Sequence, residues 1–133
     1  FEQGGITEFS ASEGEATFRA YSESDPGGRR LGEVALVGID SPVYQSGLVF
    51  EEILFDENAA CHIAIGSAYK FCLRDSESLS SEDLVAIGCN ESSVHTDMMI
   101  SSEQVDVIAT LRGGSKRTLI AQGRWCELPS ASG

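Results

Sequence analysis

Val94-His95-Thr96-Asp97-Met98-Met99-Ile100 is a strand-like run, and two more follow, at residues 105–111 and 118–125, joined through Arg112-Gly113-Gly114-Ser115. Paired glycines between apolar runs are turn chemistry, so the chain is expected to end as a β-meander. Working outward toward the amino terminus, Ser80-Ser81-Glu82-Asp83 precedes Leu84-Val85-Ala86-Ile87. A serine cap with carboxylates in the first turn predicts a helix, and Gly88 a stop. Residues 59–66, apolar apart from His62, predict a buried strand, whereas residues 48–55 are compatible with either strand or helix. Pro42 and two serines give residues 41–47 the look of a loop.

Residues 33–37 are apolar after Glu33 and bounded by glycines, as a buried strand is. Residues 15–22 predict a short helix closed by Pro26-Gly27-Gly28, and residues 6–9 alternate in strand fashion. The expected fold class is therefore α+β or mixed α/β, with a mixed or mostly antiparallel sheet and two to three helices. The expected organisation is one domain over residues 1–128 and a tail at 129–133.

A chain of 133 residues is the size of one ordinary domain, and 41% apolar with 23% charged residues is the balance of a globular protein. The net charge of −12 opposes binding to a phosphate backbone, which requires a basic face, so no nucleic-acid partner is expected. Cys61, Cys72, Cys89 and Cys126 lack the CxxC spacing of a zinc ribbon or a thioredoxin-like site. No apolar run approaches the roughly 20 residues of a membrane span. A cytoplasmic protein with reduced thiols and no membrane partner is the expectation.

His95 and Asp97 stand two apart on a strand, so their side chains leave the same face and converge. An imidazole beside a carboxylate suits zinc, cobalt or manganese, and equally suits a half-buried hydrogen-bonding pair. The second histidine, His62, lies between Asp56-Glu57-Asn58 and Tyr69, and reads either as a ligand or as a core histidine held by a backbone partner. Taken alone, Glu33 reads as a strand-end carboxylate and Tyr69 as a packing residue.

Three segments in order, Arg29-Arg30-Leu31-Gly32-Glu33-Val34-Ala35-Leu36-Val37, then Leu54-Phe55-Asp56-Glu57-Asn58-Ala59-Ala60-Cys61-His62-Ile63-Ala64-Ile65-Gly66-Ser67-Ala68-Tyr69, then Val94-His95-Thr96-Asp97-Met98-Met99-Ile100, resemble the thermophilic-type metallo-aminopeptidases, the group of aminopeptidases T and S. The resemblance also takes in Ser46-Gly47, Asn90-Glu91-Ser92-Ser93 and Gly123-Arg124-Trp125, and so runs along nearly the whole chain. It implies a metal-dependent enzyme that releases amino-terminal residues from peptide substrates and works as a homodimer. It also implies two divalent ions, zinc or cobalt, with Glu33, His62, His95 and Asp97 as metal ligands. Glu57 is implied as a ligand or as the base acting on the attacking water, and Tyr69 as an active-site tyrosine.

Family enzymes carry a further metal-binding glutamate in a Pro-Thr-Glu-Glu-type segment that this sequence lacks, together with an amino-terminal domain. The chain is therefore expected to be the carboxyl-terminal part of a longer enzyme, with an incomplete site. The alternative expectation is a catalytically silent fragment that serves as a binding or assembly module.

Overall fold

The computed structural model describes residues 1–100 and 103–127, so the expected tail at 129–133 lies outside the described residues. In chain order the elements are α1 (Glu15–Ser22), β1 (Leu31–Ala35), α2 (Pro42–Ser46), α3 (Ile53–Asp56), β2 (His62–Gly66), α4 (Ser81–Ala86), β3 (His95–Met99), β4 (Val107–Thr110), β5 (Lys116–Ala121) and β6 (Arg124–Trp125). Short 3-10 turns occupy Glu57–Ala59, Lys70–Cys72 and Ser76–Ser78. The chain forms two compact units, Phe1–Val34 with Ile63–Met98, and Ala35–His62 with the described residues from Met99 onward.

A sheet of order β1-β2-β3 dominates the first unit, which holds all of these strands but their terminal residues Ala35, His62 and Met99. Gly66, at the end of β2, donates its N–H to the Arg30 carbonyl just before β1 (2.8 Å), and Ser67 N–H donates to the Val94 carbonyl just before β3 (2.7 Å). The end of one strand thus meets the start of each neighbour, which makes both pairings antiparallel. Gly66 takes φ 95°, and a Cβ there would run into the Val94 carbonyl, so glycine is required for the backbones to approach. Ala64 and Ile65 are fully buried, and Val94 nearly so.

On the other side of this unit's sequence, α4 begins as expected. Ser80 Oγ accepts from Asp83 N–H (3.1 Å) and Asp83 Oδ2 accepts from Ser80 N–H (3.2 Å), a reciprocal cap in which the Ser80 hydroxyl (2.8 Å) and then its N–H, both donated to the Asp83 carboxylate, hold that carboxyl below its ordinary range. Gly88 closes the turn with φ 95°. The expected strand at residues 6–9 does not form: Ile6 N–H is taken by the Arg29 carbonyl, and Phe9 packs edge-on to Phe18 with a ring-centroid separation of 4.9 Å.

In the second unit β4, β5 and β6 make the expected meander, with Thr110 opposite Lys116 and Val107 opposite Ile120. A bulge between Val107 and Ile108 shifts the register once. Gln122 and Gly123, both at positive φ (48° and 74°), make the two-residue turn between β5 and β6. Ile120 is fully buried and supplies this unit's core with Cys61 and Ile39. Cys61 Sγ accepts from Val37 N–H at 3.1 Å, and none of the four cysteines is joined in a disulfide.

The loop expected at residues 41–47 is the helix α2. Ser41 Oγ accepts from Val43 N–H, Pro42 opens the first turn and Gly47 ends it in the left-handed region (φ 63°), so the residues that suggested a loop are a cap, a first-turn proline and a stop. Residues 48–55, open between strand and helix, become irregular chain followed by the one-turn helix α3, which raises the number of helices to four among the described residues. No helix among the described residues is long and apolar enough to cross a membrane.

Candidate metal centre

Glu33 and the pair His95 and Asp97 come from the two outer strands of the first sheet, and their side chains meet. His95 Nε2 lies 3.2 Å from Glu33 Oε2 and 3.3 Å from Asp97 Oδ1. The pairing on β3 follows from the two-residue period of a strand. Glu33 reaches across from β1 because its own strand is held close, Gly32 lying where a Cβ would strike the Gly66 and Ser67 carbonyls. The three side chains are mostly withdrawn from water, at 19% exposure for Glu33, 22% for His95 and 8% for Asp97, and neither Glu33 Oε2 nor Asp97 Oδ1 reaches solvent.

The imidazole is aimed by its other nitrogen. His95 Nδ1 sits 2.8 Å from the Ser67 carbonyl, which only accepts, so Nδ1 carries the proton and Nε2 is the atom turned toward the carboxylates. An Nε2 lone pair and two carboxylate oxygens at 3.2–3.3 Å repel one another unless a proton or a cation lies among them. That is the donor set of a divalent ion: one imidazole and two carboxylates, with the imidazole fixed from behind by a backbone carbonyl. The hydroxyl of Tyr69 approaches His95 Nε2 at 3.4 Å, and its ring lies tilted against the imidazole with centroids 5.1 Å apart.

Two candidate residues belong to the second unit. His62 is the first residue of β2, buried at 3% exposure, and its Nδ1 donates to the Ala60 carbonyl at 2.9 Å, the same tautomer as His95. Glu57 is half-buried and opens a 3-10 turn, with its peptide N–H bonded to the Ile53 carbonyl.

The polar apparatus that carries β3 was not anticipated from the sequence. Asp25 accepts from Ser92 Oγ (2.9 Å), Ser93 N–H (2.7 Å) and Ser93 Oγ (2.6 Å), and from the peptide N–H groups of Gly27 and Gly28 (2.8 and 3.0 Å). These donors, Ser93 first, hold its carboxyl far below the ordinary range. Asn90 Nδ2 bonds the carbonyls of both Gly27 and Gly66. Pro26-Gly27-Gly28 was visible as the close of a helix, but no local pattern shows which distant backbone the preceding Asp25 will hold. Beside Glu33 and Tyr69 lies a cavity of about 330 Å³ with walls from Val34, Ala68, Leu73 and Ile87.

Residues 1–125 match the family model for the thermophilic metalloproteases (M29). The chain is 48% identical over 125 residues to aminopeptidase T of Thermus aquaticus and 43% identical to aminopeptidase 2 of Geobacillus stearothermophilus, in each case with 94% of this chain and 30% of the relative covered. Among solved structures it is similar to wild-type AmpT from Thermus thermophilus, with a TM-score of 0.82 and 46% identity over 94% of this chain and 30% of that one. The chain spans about 30% of the length of the curated relatives it matches. A match along almost the entire described chain, on a mixed α+β fold whose first sheet gathers an imidazole and two carboxylates, shows that the chain belongs to the thermophilic metalloprotease family M29.

Proposed function

We propose that this chain is the metal-binding, carboxyl-terminal part of an aminopeptidase that releases amino-terminal residues from peptides. The observation that carries the reading is the meeting of Glu33, His95 and Asp97 around one point, with His95 held in the tautomer that turns Nε2 inward. In this reading Glu33, His62, His95 and Asp97 are metal ligands, and the full site takes two ions, zinc or cobalt. His62 is assigned on its motif, its burial and its Nδ1 bond. A divalent ion held there supplies Lewis acidity for the attacking water and the scissile carbonyl.

The chain's own groups do the rest. Tyr69 places a phenolic hydroxyl beside the cluster, where a hydrogen bond to the oxyanion of peptide hydrolysis is worth about 3 kcal/mol. Glu57 is proposed as a further ligand or as the proton acceptor, on its motif alone. The cavity beside Glu33 and Tyr69 gives an apolar wall on which the first side chain of a peptide can lie. We extend the proposal to residues 1–128 as the catalytic segment, to a homodimeric parent enzyme and to a cytoplasmic setting.

A second reading is favoured by the 30% span of the relatives: the chain alone is catalytically silent and acts as a binding or assembly module. An assay on the natural protein tests the first reading, and the same assay on the isolated chain, expected to show no hydrolysis, tests the second. Hydrolysis of an aminoacyl chromogen, abolished by a chelator and restored by Zn²⁺ or Co²⁺, is expected of the natural protein that carries this chain. Chelator-resistant hydrolysis, or none under any metal, rejects the aminopeptidase reading.

A further inference from the structure

In the order β1-β2-β3, β3 is an outer strand, and among the described residues no strand pairs with the peptide groups along its other side. At His95 both peptide groups on that side are taken by one side chain. The His95 N–H donates to Tyr21 Oη at 3.2 Å, and the Tyr21 hydroxyl donates to the His95 carbonyl at 3.1 Å. In an antiparallel ladder a residue sends N–H and C=O to the same side, so one phenol does for His95 what a further strand would do. Tyr21 is 39% exposed and lies on α1, so its contribution is not that of a buried core aromatic.

We propose that Tyr21 is a positioning residue for the metal ligand His95, acting through the His95 backbone in concert with Asp25, which fixes Ser92 and Ser93 three and two residues earlier. The inference rests on the reading of His95 as a metal ligand. Its physical content is that a ligand on an outer strand can rotate and slide unless its peptide is pinned. The pin comes from α1 and the turn after it, with Ser67 O pinning the ring from the other end at Nδ1. Positions that hold ligands in this way typically contribute 10–100-fold to metal affinity.

The test compares Tyr21→Phe, which removes one oxygen, with Arg19→Ala, which removes the α1 ion pairs to Glu15 and Glu23 and leaves the hydroxyl in place. Both are made in the natural protein that carries this chain. Titration with Co²⁺ alone, followed by its visible absorption, reads affinity and ligand geometry. Thermal melting without metal reads stability. In the metal-free protein, solvent exchange of the His95 ring Nδ1–H, followed by NMR, reads the aim of the imidazole. Tyr21→Phe is expected to weaken Co²⁺ by about 10–100-fold, to alter its absorption band and to speed Nδ1–H exchange about tenfold, with Arg19→Ala near wild type in all three. Asp25→Asn is expected to act in the same direction. Tyr21→Phe with wild-type affinity, band and exchange overturns the proposal, as does an equal loss in Arg19→Ala. A wild-type protein that takes up no Co²⁺ defeats the metal reading itself, and the exchange measurement then decides the positioning claim alone.

Discussion

The two three-stranded sheets have the same local geometry and opposite uses. β5 divides into an exposed polar end at Lys116 and a fully buried apolar end at Ile120, so what it buries is ordinary core. The strands β1 and β3 show no such division: Glu33, His95 and Asp97 point inward as a polar cluster. A cluster of that kind costs stability unless each group is held and offset. The difference shows in what surrounds the strands. The second sheet is closed by a glycine hairpin and a two-residue turn, and the first by long-range polar bonds from Tyr21, Asp25 and Asn90.

The largest expected effect is functional and confined to the first sheet. His95→Ala removes the imidazole at the centre of the cluster and should weaken divalent-metal binding by more than the ~10–100-fold of a supporting residue, as read by titration calorimetry. Ile120→Ala in the second sheet should do the converse: a loss of about 2–5 kcal/mol in denaturant unfolding, with metal affinity near wild type below the melting range. If Ile120→Ala also abolished metal binding at full folding, the division of labour between the sheets would be wrong.

Asp25→Asn sharpens the comparison through pH. The folded carboxyl of Asp25 is depressed, so its bonds stabilise the native state above the ordinary aspartate range near 3.9, and this contribution fades as pH falls below it. The gap in thermal midpoint between wild type and Asp25→Asn should be widest near neutrality and shrink below pH ~4. A gap independent of pH would show that Asp25 acts only by packing. The smallest effect is expected at the cap of α2, where Ser41→Ala should cost about 1 kcal/mol and leave metal affinity unchanged.

Much of this was legible in the chain because the signals are local. Ser80 to Asp83 announce α4, the 112–115 turn announces the meander, and the two-residue spacing of His95 and Asp97 puts both on one face. α2 was missed because Ser41, Pro42 and Gly47 serve a loop and a one-turn helix equally well, and the choice turns on a capping bond that composition does not show. Resemblance singled out Glu33, yet its inward reach across the sheet depends on the close approach at Gly32, which no periodicity reveals. Tyr21, Asp25 and the Ser67 carbonyl stayed invisible for a related reason. Their long-range partners are 28 to 74 residues away, and several of those partners are backbone atoms with no residue identity to read.

The central claim, that Glu33, His95 and Asp97 bind a divalent ion, is tested most directly by anomalous diffraction from crystals of the cobalt- or zinc-loaded protein. The account predicts an anomalous peak about 2.0–2.2 Å from His95 Nε2 and from a carboxylate oxygen of Glu33 or Asp97. A metal-saturated protein with its ion elsewhere, and with His95 Nε2 bonded only to protein groups, would contradict it.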